Sequence, residues 1–262
     1  MNDGRHEILR GGSLRVIGIG PGPADWITPE ASRIVAGATD LVGYGAYLAR
    51  CPQQSGQTRH VSGNGAELDR AHGALTLAQN GKQVAVVSGG DPGVFAMAAA
   101  VFEAIDHGDP AWRDIDIQIL PGVSAMQAAA ARLGAPLGHD FCAISLSDNL
   151  KPWALVEKRL TAAADGDFVM ALYNPASKTR RDQIRAAFAL LRRHKAGATP
   201  VMFAKSVGRA DEHIIVATLK DADPEVADMA TLVIIGSSET KMILRDGRRP
   251  YVYTPRGAGR AP

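Results

Sequence analysis

Gln83-Val84-Ala85-Val86-Val87-Ser88-Gly89-Gly90-Asp91-Pro92-Gly93-Val94-Phe95 is the stretch from which the fold is read. Its first half is a short valine-rich run, the pattern of a strand buried on both faces. Gly89, Gly90, Asp91, Pro92 and Gly93 then break the run, and Ala96 to Ile105 is built almost wholly of helix formers. A glycine loop between the carboxyl end of a buried strand and a helix is where open α/β sheets bind ligands. Gly89 and Gly90 would let a ligand approach the backbone, and Pro92 would stiffen the loop around Asp91. An ordinary strand-to-helix turn accounts for the same residues, so the neighbouring segments must decide.

Upstream, Leu14 to Gly20 reads as a strand running into Gly20-Pro21-Gly22-Pro23, with Thr28 capping a helix whose first residue is Pro29. This is not a dinucleotide fingerprint. The third glycine would fall at Pro23, and Pro21 removes an N–H that pyrophosphate would need. Leu41 to Tyr44 is a further strand, and Asn64 to Asn80 a helix ended by Gly81. Downstream, Ile115 to Leu120 alternates as a strand and stops at Pro121-Gly122, and Ser124 is placed to cap a helix over Ala125 to Leu133. This half reads as strand–helix repeats around a largely parallel sheet.

Gly134-Ala135-Pro136-Leu137-Gly138 marks the expected boundary, with domains at 12–137 and 138–254 and flexible tails at 1–11 and 255–262. Beyond it, strands are expected over Asp140 to Leu146, Asp167 to Tyr173, Pro200 to Lys205, Ile214 to Thr218 and Leu232 to Gly236. Helices are expected over Pro152 to Ala164 and Lys178 to Lys195. Direct strand-to-strand connections predict a mixed sheet here. The fold class is therefore α/β in two domains, with a ligand cleft expected between them. Lys178, Arg180, Arg181 and Arg185 at the start of the last helix would oppose its macrodipole, as a solvated face or as partners of an anionic ligand.

The 262 residues carry 29 Lys and Arg against 27 Asp and Glu, a balance that requires neither nucleic acid nor membrane. Lys241, Arg245, Arg248, Arg249, Arg256 and Arg260 crowd the last stretch, which reads as a solvated tail. Cys51 and Cys142 stand alone, which points to a reducing compartment and away from disulfides, zinc or an iron–sulfur cluster. Met1 to Arg10 is too polar for a signal peptide and no apolar run would span a bilayer, so a cytoplasmic location is expected. The seven histidines show no metal-binding spacing, and neither a P-loop nor a G-x-S-x-G elbow occurs. What remains is a set of strand-end loops of Gly, Pro, Ser and Asn. Such a set holds a cofactor by backbone groups and leaves the chemistry to it.

Gly18-x-Gly20-Pro21-Gly22 with Thr28, Gly90-Asp91-Pro92, Pro121-Gly122-Val123-Ser124-Ala125, Tyr173-Asn174-Pro175 and Ile234-Ile235-Gly236, in this order, resemble the tetrapyrrole (class III) S-adenosylmethionine-dependent methyltransferases. The resemblance runs from about residue 14 to 254. Tyr173 to Arg180, Val207-Gly208-Arg209 with Glu212, and Met229-Ala230-Thr231 through Thr240 are similar to the branch that methylates precorrin-3B at C17 with ring contraction, in aerobic cobalamin synthesis. The absence of a C-terminal cysteine-rich cluster module agrees with the aerobic type. Methylases of precorrin-2, precorrin-4, uroporphyrinogen or ribosomal RNA, and a non-catalytic binding module, are the rival readings.

The resemblance implies a homodimer, with S-adenosylmethionine as cofactor, S-adenosylhomocysteine as its product, and no metal. The implied cofactor contacts are Pro21, Gly89, Gly90, Asp91, Val94, Ser124, Ala125, Tyr173, Val207, Ala230 and Thr231. Asn174, Lys178, Arg180, Lys205 and Arg209 are candidates for the substrate, whose several carboxylates call for cations. Asp91, Glu212 and His213 are candidates for acid–base work during ring contraction. A carboxylate against the sulfonium would favour the ground state, so Asp91 is expected to order its loop rather than neutralise sulfur.

Overall fold

The computed structural model describes residues 11–63, 65–177 and 179–257. Asn64, Lys178 and Arg260 fall outside them, as do most residues of the tails expected at 1–11 and 255–262. The chain divides into two compact units, one ending at Ser124 and one beginning at Ala125.

In the first unit, β1 (Ser13–Gly18), β2 (Asp40–Tyr44), β3 (Thr58–Ser62), β4 (Gln83–Ser88) and β5 (Asp116–Leu120) form one sheet. Its order is β3-β2-β4-β1-β5 and every pairing is parallel. The valine run of β4 explains why both faces are covered. Val84 and Val86 pack with α3 (Glu67–Gln79) and α4 (Met97–His107), through Leu75, Ala78, Val101 and Ala104. Ala85 and Val87 pack on the other face with Ala31 and Val35 of α1 (Pro29–Gly37) and Leu48 of α2 (Gly45–Leu48). A strand with helices on each side has no polar face to keep, so alternation vanishes from its sequence. Thr28 caps α1, its Oγ1 accepting from the Ala31 N–H at 3.1 Å.

In the second unit, β7 (Phe141–Ser145), β8 (Val169–Tyr173), β9 (Pro200–Lys205), β10 (His213–Thr218) and β11 (Thr231–Ile235) form a mixed sheet of order β10-β9-β11-β8-β7. Only β7 and β8 are parallel. α6 (Trp153–Asp165) and α7 (Asp182–His194) pack on it through Val156, Leu160, Ile184 and Phe188, and Phe188 stacks on Phe203 at 5.8 Å. α5 (Ala125–Leu133) packs against β11 and so belongs to this unit.

Several expectations change. The stretch Gly134–Ala135, read as linker, is a short strand, β6, that pairs in parallel with Val252 and Tyr253. Its partner belongs to the hairpin of β12 (Lys241–Arg245) and β13 (Arg248–Tyr253), so Lys241, Arg245, Arg248 and Arg249 sit in ordered strands rather than a tail. The Arg245 guanidinium lies 3.8 Å from the Tyr251 ring centre. α7 starts at Asp182, four residues later than Lys178, with Arg181 at its N-cap. Asp182 opens its first turn and Arg192, Arg193 and His194 fill its last, as the macrodipole favours, while Arg181 and Arg185 remain at its start paired with Glu225, and Arg185 also with Asp182. The edge strand β3 and the short α2 carry no apolar period and were not expected. Among the described residues no helix is long and apolar enough to cross a membrane.

β1 lies between β4 and β5, so the carboxyl ends of these three strands are neighbours. A Cβ on Gly18 would stand 2.6 Å from the Gly90 carbonyl oxygen and 2.8 Å from the Gly122 nitrogen. Both are backbone atoms of packed segments and cannot swing aside. Gly18→Ala is expected to destabilise the chain by about 3 kcal/mol or more, read as a lower midpoint in chemical denaturation.

Candidate functional site

The first unit gathers three loops at this strand edge. Gly20, with φ +65°, bridges to Gly90, with φ +67°, and its N–H donates to the Gly90 oxygen at 3.2 Å. Both glycines therefore hold left-handed backbone that other residues adopt only with strain. A Cβ on Gly122 would stand 2.4 Å from the same Gly90 oxygen. Asp91 ties the loops together. Its Oδ1 accepts from the Gly93 N–H at 2.8 Å and its Oδ2 from the Gly122 N–H at 3.0 Å. The carboxylate thus adds to the loop's own Val94 N–H to Asp91 oxygen turn bond and joins it to the Gly122 loop.

Gly89 departs from the expectation that it admits a ligand. A Cβ there would lie 2.6 Å from the Tyr47 ring, so packing within the protein already requires glycine. Pro21, Gly90, Val94 and Ala125 are half-buried and Ser124 is fully buried. Phe95, the residue before the helix approach, holds φ +51° and is half exposed.

The second unit assembles its candidates on one edge of its own sheet, where β8 and β9 end and the antiparallel β11 begins. The Tyr173 hydroxyl accepts from the Met126 N–H at 3.1 Å, satisfying an early amide of α5. Asn174 holds φ +51° and donates from Nδ2 to Ser145 Oγ at 3.0 Å. Arg180 donates to the carbonyls of Leu146 (3.0 Å) and Asn174 (2.9 Å), so its guanidinium braces the ends of β7 and β8. Lys178, proposed beside it, lies outside the described residues.

Two carboxylates organise the rest of this edge. Asp228 accepts from Lys205 Nζ at 2.6 Å, from Thr231 Oγ1 at 2.8 Å and from the Ala230 N–H at 2.9 Å. Partial burial works to raise its pKa, but these donors outweigh it and hold the carboxyl below the usual range. Asp228 in turn pushes the Lys205 ammonium upward. Glu212 Oε2 accepts from the Gly208 N–H at 2.7 Å and from Arg132 Nε at 3.0 Å. Partial burial opposes ionisation there as well, yet the Gly208 N–H and Arg132 leave its pKa lowered. Val207 is buried, Ala230 and Arg209 are exposed, and the Ser206 N–H donates to the Ala230 oxygen at 3.0 Å. His213 opens β10 on an exposed position, in register with Lys205.

Of the three acid–base candidates, Asp91 is thus a loop tie in the first unit, and Glu212 is a turn tie in the second. Sequence reasoning did not pick out Asp228 or Arg132, because their work is visible only once β9, β11 and α5 are placed. Among the described residues no group of three His, Cys, Asp or Glu side chains could hold a metal ion.

Residues 13–223 match the family described as tetrapyrrole (corrin/porphyrin) methylases. The chain is 56% identical to a protein of Sinorhizobium sp named precorrin-3B C(17)-methyltransferase, over 94% of this chain and 96% of the relative. It is 46% identical to the cobalamin biosynthesis protein CobIJ of Mycobacterium tuberculosis, over 98% of this chain but 51% of that longer relative. Among solved structures, a crystal structure of the methyltransferase CobJ superposes with a TM-score of 0.89 at 51% identity, covering 94% of this chain and 100% of the other.

The ionised state of Glu212 has a measurable consequence. A carboxyl with a lowered folded-state pKa contributes stability that is complete above its unfolded value and is lost as pH falls through the folded value. Glu212→Gln should therefore cost about 1 kcal/mol at pH 7. That gap should narrow as the pH drops below the ordinary value of 4.5, in denaturation curves taken across pH. A gap constant to pH 3 would contradict the tie described here.

Proposed function

The chain belongs to the tetrapyrrole (corrin/porphyrin) methylases, and on that premise we propose that it methylates C17 of precorrin-3B from S-adenosylmethionine. The reaction contracts the ring to precorrin-4, a step of cobalamin biosynthesis. The observation that carries this reading is the 56% identity, over nearly the full length of both chains, to a relative named for that activity. The same reading makes the protein a cytoplasmic homodimer.

The strand-end loops suit this cofactor. Residues 18–23, 88–96 and 121–125 contain no lysine or arginine, so the loops themselves carry no cation to meet a sulfonium. Half-buried Gly90, Val94 and Ala125 and the buried Ser124 hydroxyl combine small apolar contact with backbone and hydroxyl groups. When bound, S-adenosylmethionine supplies an electrophilic methyl group on positively charged sulfur. The residues proposed to hold it are Pro21, Gly89, Gly90, Asp91, Val94, Ser124, Ala125, Tyr173, Val207, Ala230 and Thr231. Gly89 and Asp91 serve chiefly by fixing the loop, since Tyr47 and two amides already occupy them.

Positioning is the main task of such a site. Well-oriented reactants gain effective molarities of about 10⁵ M or more, and the attacking carbon is electron-rich enough to need no strong base. Glu212, held ionised, is suited to accept a proton rather than donate one at neutral pH. His213, exposed at the start of β10, is the further acid–base candidate of this edge. Substrate carboxylates would be met by Lys205 and Arg209, with Asn174 and Arg180 shaping the adjoining strand ends and Lys178 a further cation candidate.

Incubation of the purified chain with precorrin-3B and S-adenosylmethionine should give a product heavier by one methyl group with an altered visible spectrum. Binding of either ligand without a mass change would instead mark a non-catalytic module. Arg209→Glu should raise the KM for the tetrapyrrole about tenfold or more while leaving cofactor affinity unchanged. An unchanged KM removes Arg209 from the substrate site.

A further inference from the structure

The segment Ile19-Gly20-Pro21-Gly22-Pro23 has an excess of acceptors written into it. Its five residues carry five carbonyl oxygens but three N–H groups, because Pro21 and Pro23 have none. Two of those N–H groups are committed to the neighbouring strand and loop, Ile19 to the Ser88 oxygen at 3.0 Å and Gly20 to the Gly90 oxygen at 3.2 Å. The carbonyls need donors from elsewhere, and one side chain reaches three of them. Arg50 Nη1 donates to the Gly20 oxygen at 2.9 Å, and Nη2 donates to the oxygens of Ile19 at 2.9 Å and Gly22 at 2.7 Å. Three carbonyl dipoles aimed at one point repel each other unless a cation stands there. The planar fork of a guanidinium supplies both the charge and the directed donors, which a lysine would not.

The same turn of chain backs the second loop. Arg50 follows α2, and Tyr47 on that helix fills the space beside Gly89. Arg59 fixes the turn in its place by donating to the carbonyls of Leu48 and Cys51, each at 2.8 Å. A tyrosine ring therefore packs against Gly89 and a guanidinium against the Gly20 loop, three residues apart in the chain.

We propose that Arg50 is a positioning residue for the methyl donor. By gathering the carbonyls of Ile19, Gly20 and Gly22 it aims the Gly20 N–H at the Gly90 oxygen, and so keeps the two loops in one arrangement before the donor arrives. Preorganisation of this kind appears in binding affinity, because a loose loop must be ordered when the ligand binds. The inference rests on the reading above that these loops hold S-adenosylmethionine.

Calorimetric titration with S-adenosylhomocysteine tests it without needing turnover. Arg50→Ala should weaken binding about tenfold or more, with the tetrapyrrole KM unchanged, and added guanidinium ion should restore part of the affinity. Arg192→Ala serves as the control. Arg192 makes a comparable clamp on the carbonyls of Leu219 and Ala222 in the second unit, so its loss should lower Tm without changing donor affinity. An Arg50→Ala chain that binds S-adenosylhomocysteine as tightly as the unaltered chain overturns the proposal. Where Arg50→Ala does not fold, Arg50→Gln, which keeps one amide donor group and no charge, decides by the same criterion. Failure of the unaltered chain to bind S-adenosylhomocysteine is a different result, and would remove the donor reading together with this inference.

Discussion

The carbonyl oxygen of Gly90 stands where three backbones meet, and the first unit is arranged to let them meet. It accepts from the Gly20 N–H, while any side chain at Gly18 or Gly122 would collide with it. Such closeness is possible because β1 is flanked in parallel by β4 and β5, whose register brings the three carboxyl ends level. Parallel strands end their loops on the same side of the sheet, so loops from distant parts of the sequence crowd together. Crowding of bare backbone leaves polar groups to be satisfied, and Asp91 and Arg50 do so from opposite directions. Asp91 offers acceptors to two N–H groups, whereas Arg50 offers donors to three carbonyls. The side chains most committed to these loops are thus occupied with the loops themselves, and what they leave for a ligand is shape and backbone.

The second unit solves a different problem on its own sheet edge. Its strands are mostly antiparallel, so the ends that come together belong to two strands finishing and one starting. Carboxylates dominate here. Asp228 holds Lys205, Thr231 and the turn before β11, and Glu212 holds the Gly208 turn and Arg132 of α5. Each loses solvation on partial burial and regains more from its donors, which is why both stay ionised. Lys205 is consequently a tethered cation, and a carboxylated ligand would have to share it with Asp228. Arg180 is more deeply committed, bracing two strand ends through main-chain carbonyls. An arginine in that setting shapes a site more than it charges it.

The parts of the fold legible in the sequence are those where burial leaves a compositional trace. β4, β8, β9 and β11 announce themselves because a strand covered on both faces must be apolar throughout, and the Thr28-Pro29 start of α1 is plain from capping chemistry. β3 left no trace because it lies at the sheet edge with half of each face wet, and Thr58-Arg59-His60-Val61-Ser62 has no period to detect. The basic hairpin over Lys241–Tyr253 also gives little to read, since Val252 is its one fully buried position while Ile243, Leu244 and Tyr251 stand exposed. α7 begins at Asp182 rather than Lys178, because its apolar face fixes the body of the helix and not its first turn, and Arg180 and Arg181 fall outside it.

By itself, then, the sequence determined the α/β class, the two sheets with their parallel and mixed characters, and the order of strand-end loops by which the family is recognised. Those features depend on local propensity, apolar run length and residue type, all of which are written along the chain. Only the tertiary structure decided what the focal glycines and charges do. Gly89 is there for the Tyr47 ring, Gly18 and Gly122 for a carbonyl, Asp91 for two amides and Arg50 for three oxygens. Arg50 lies about thirty residues from the carbonyls it gathers, and Asp91 accepts from an amide 31 residues away. Contacts of that separation follow from sheet order and register, which no window of sequence contains.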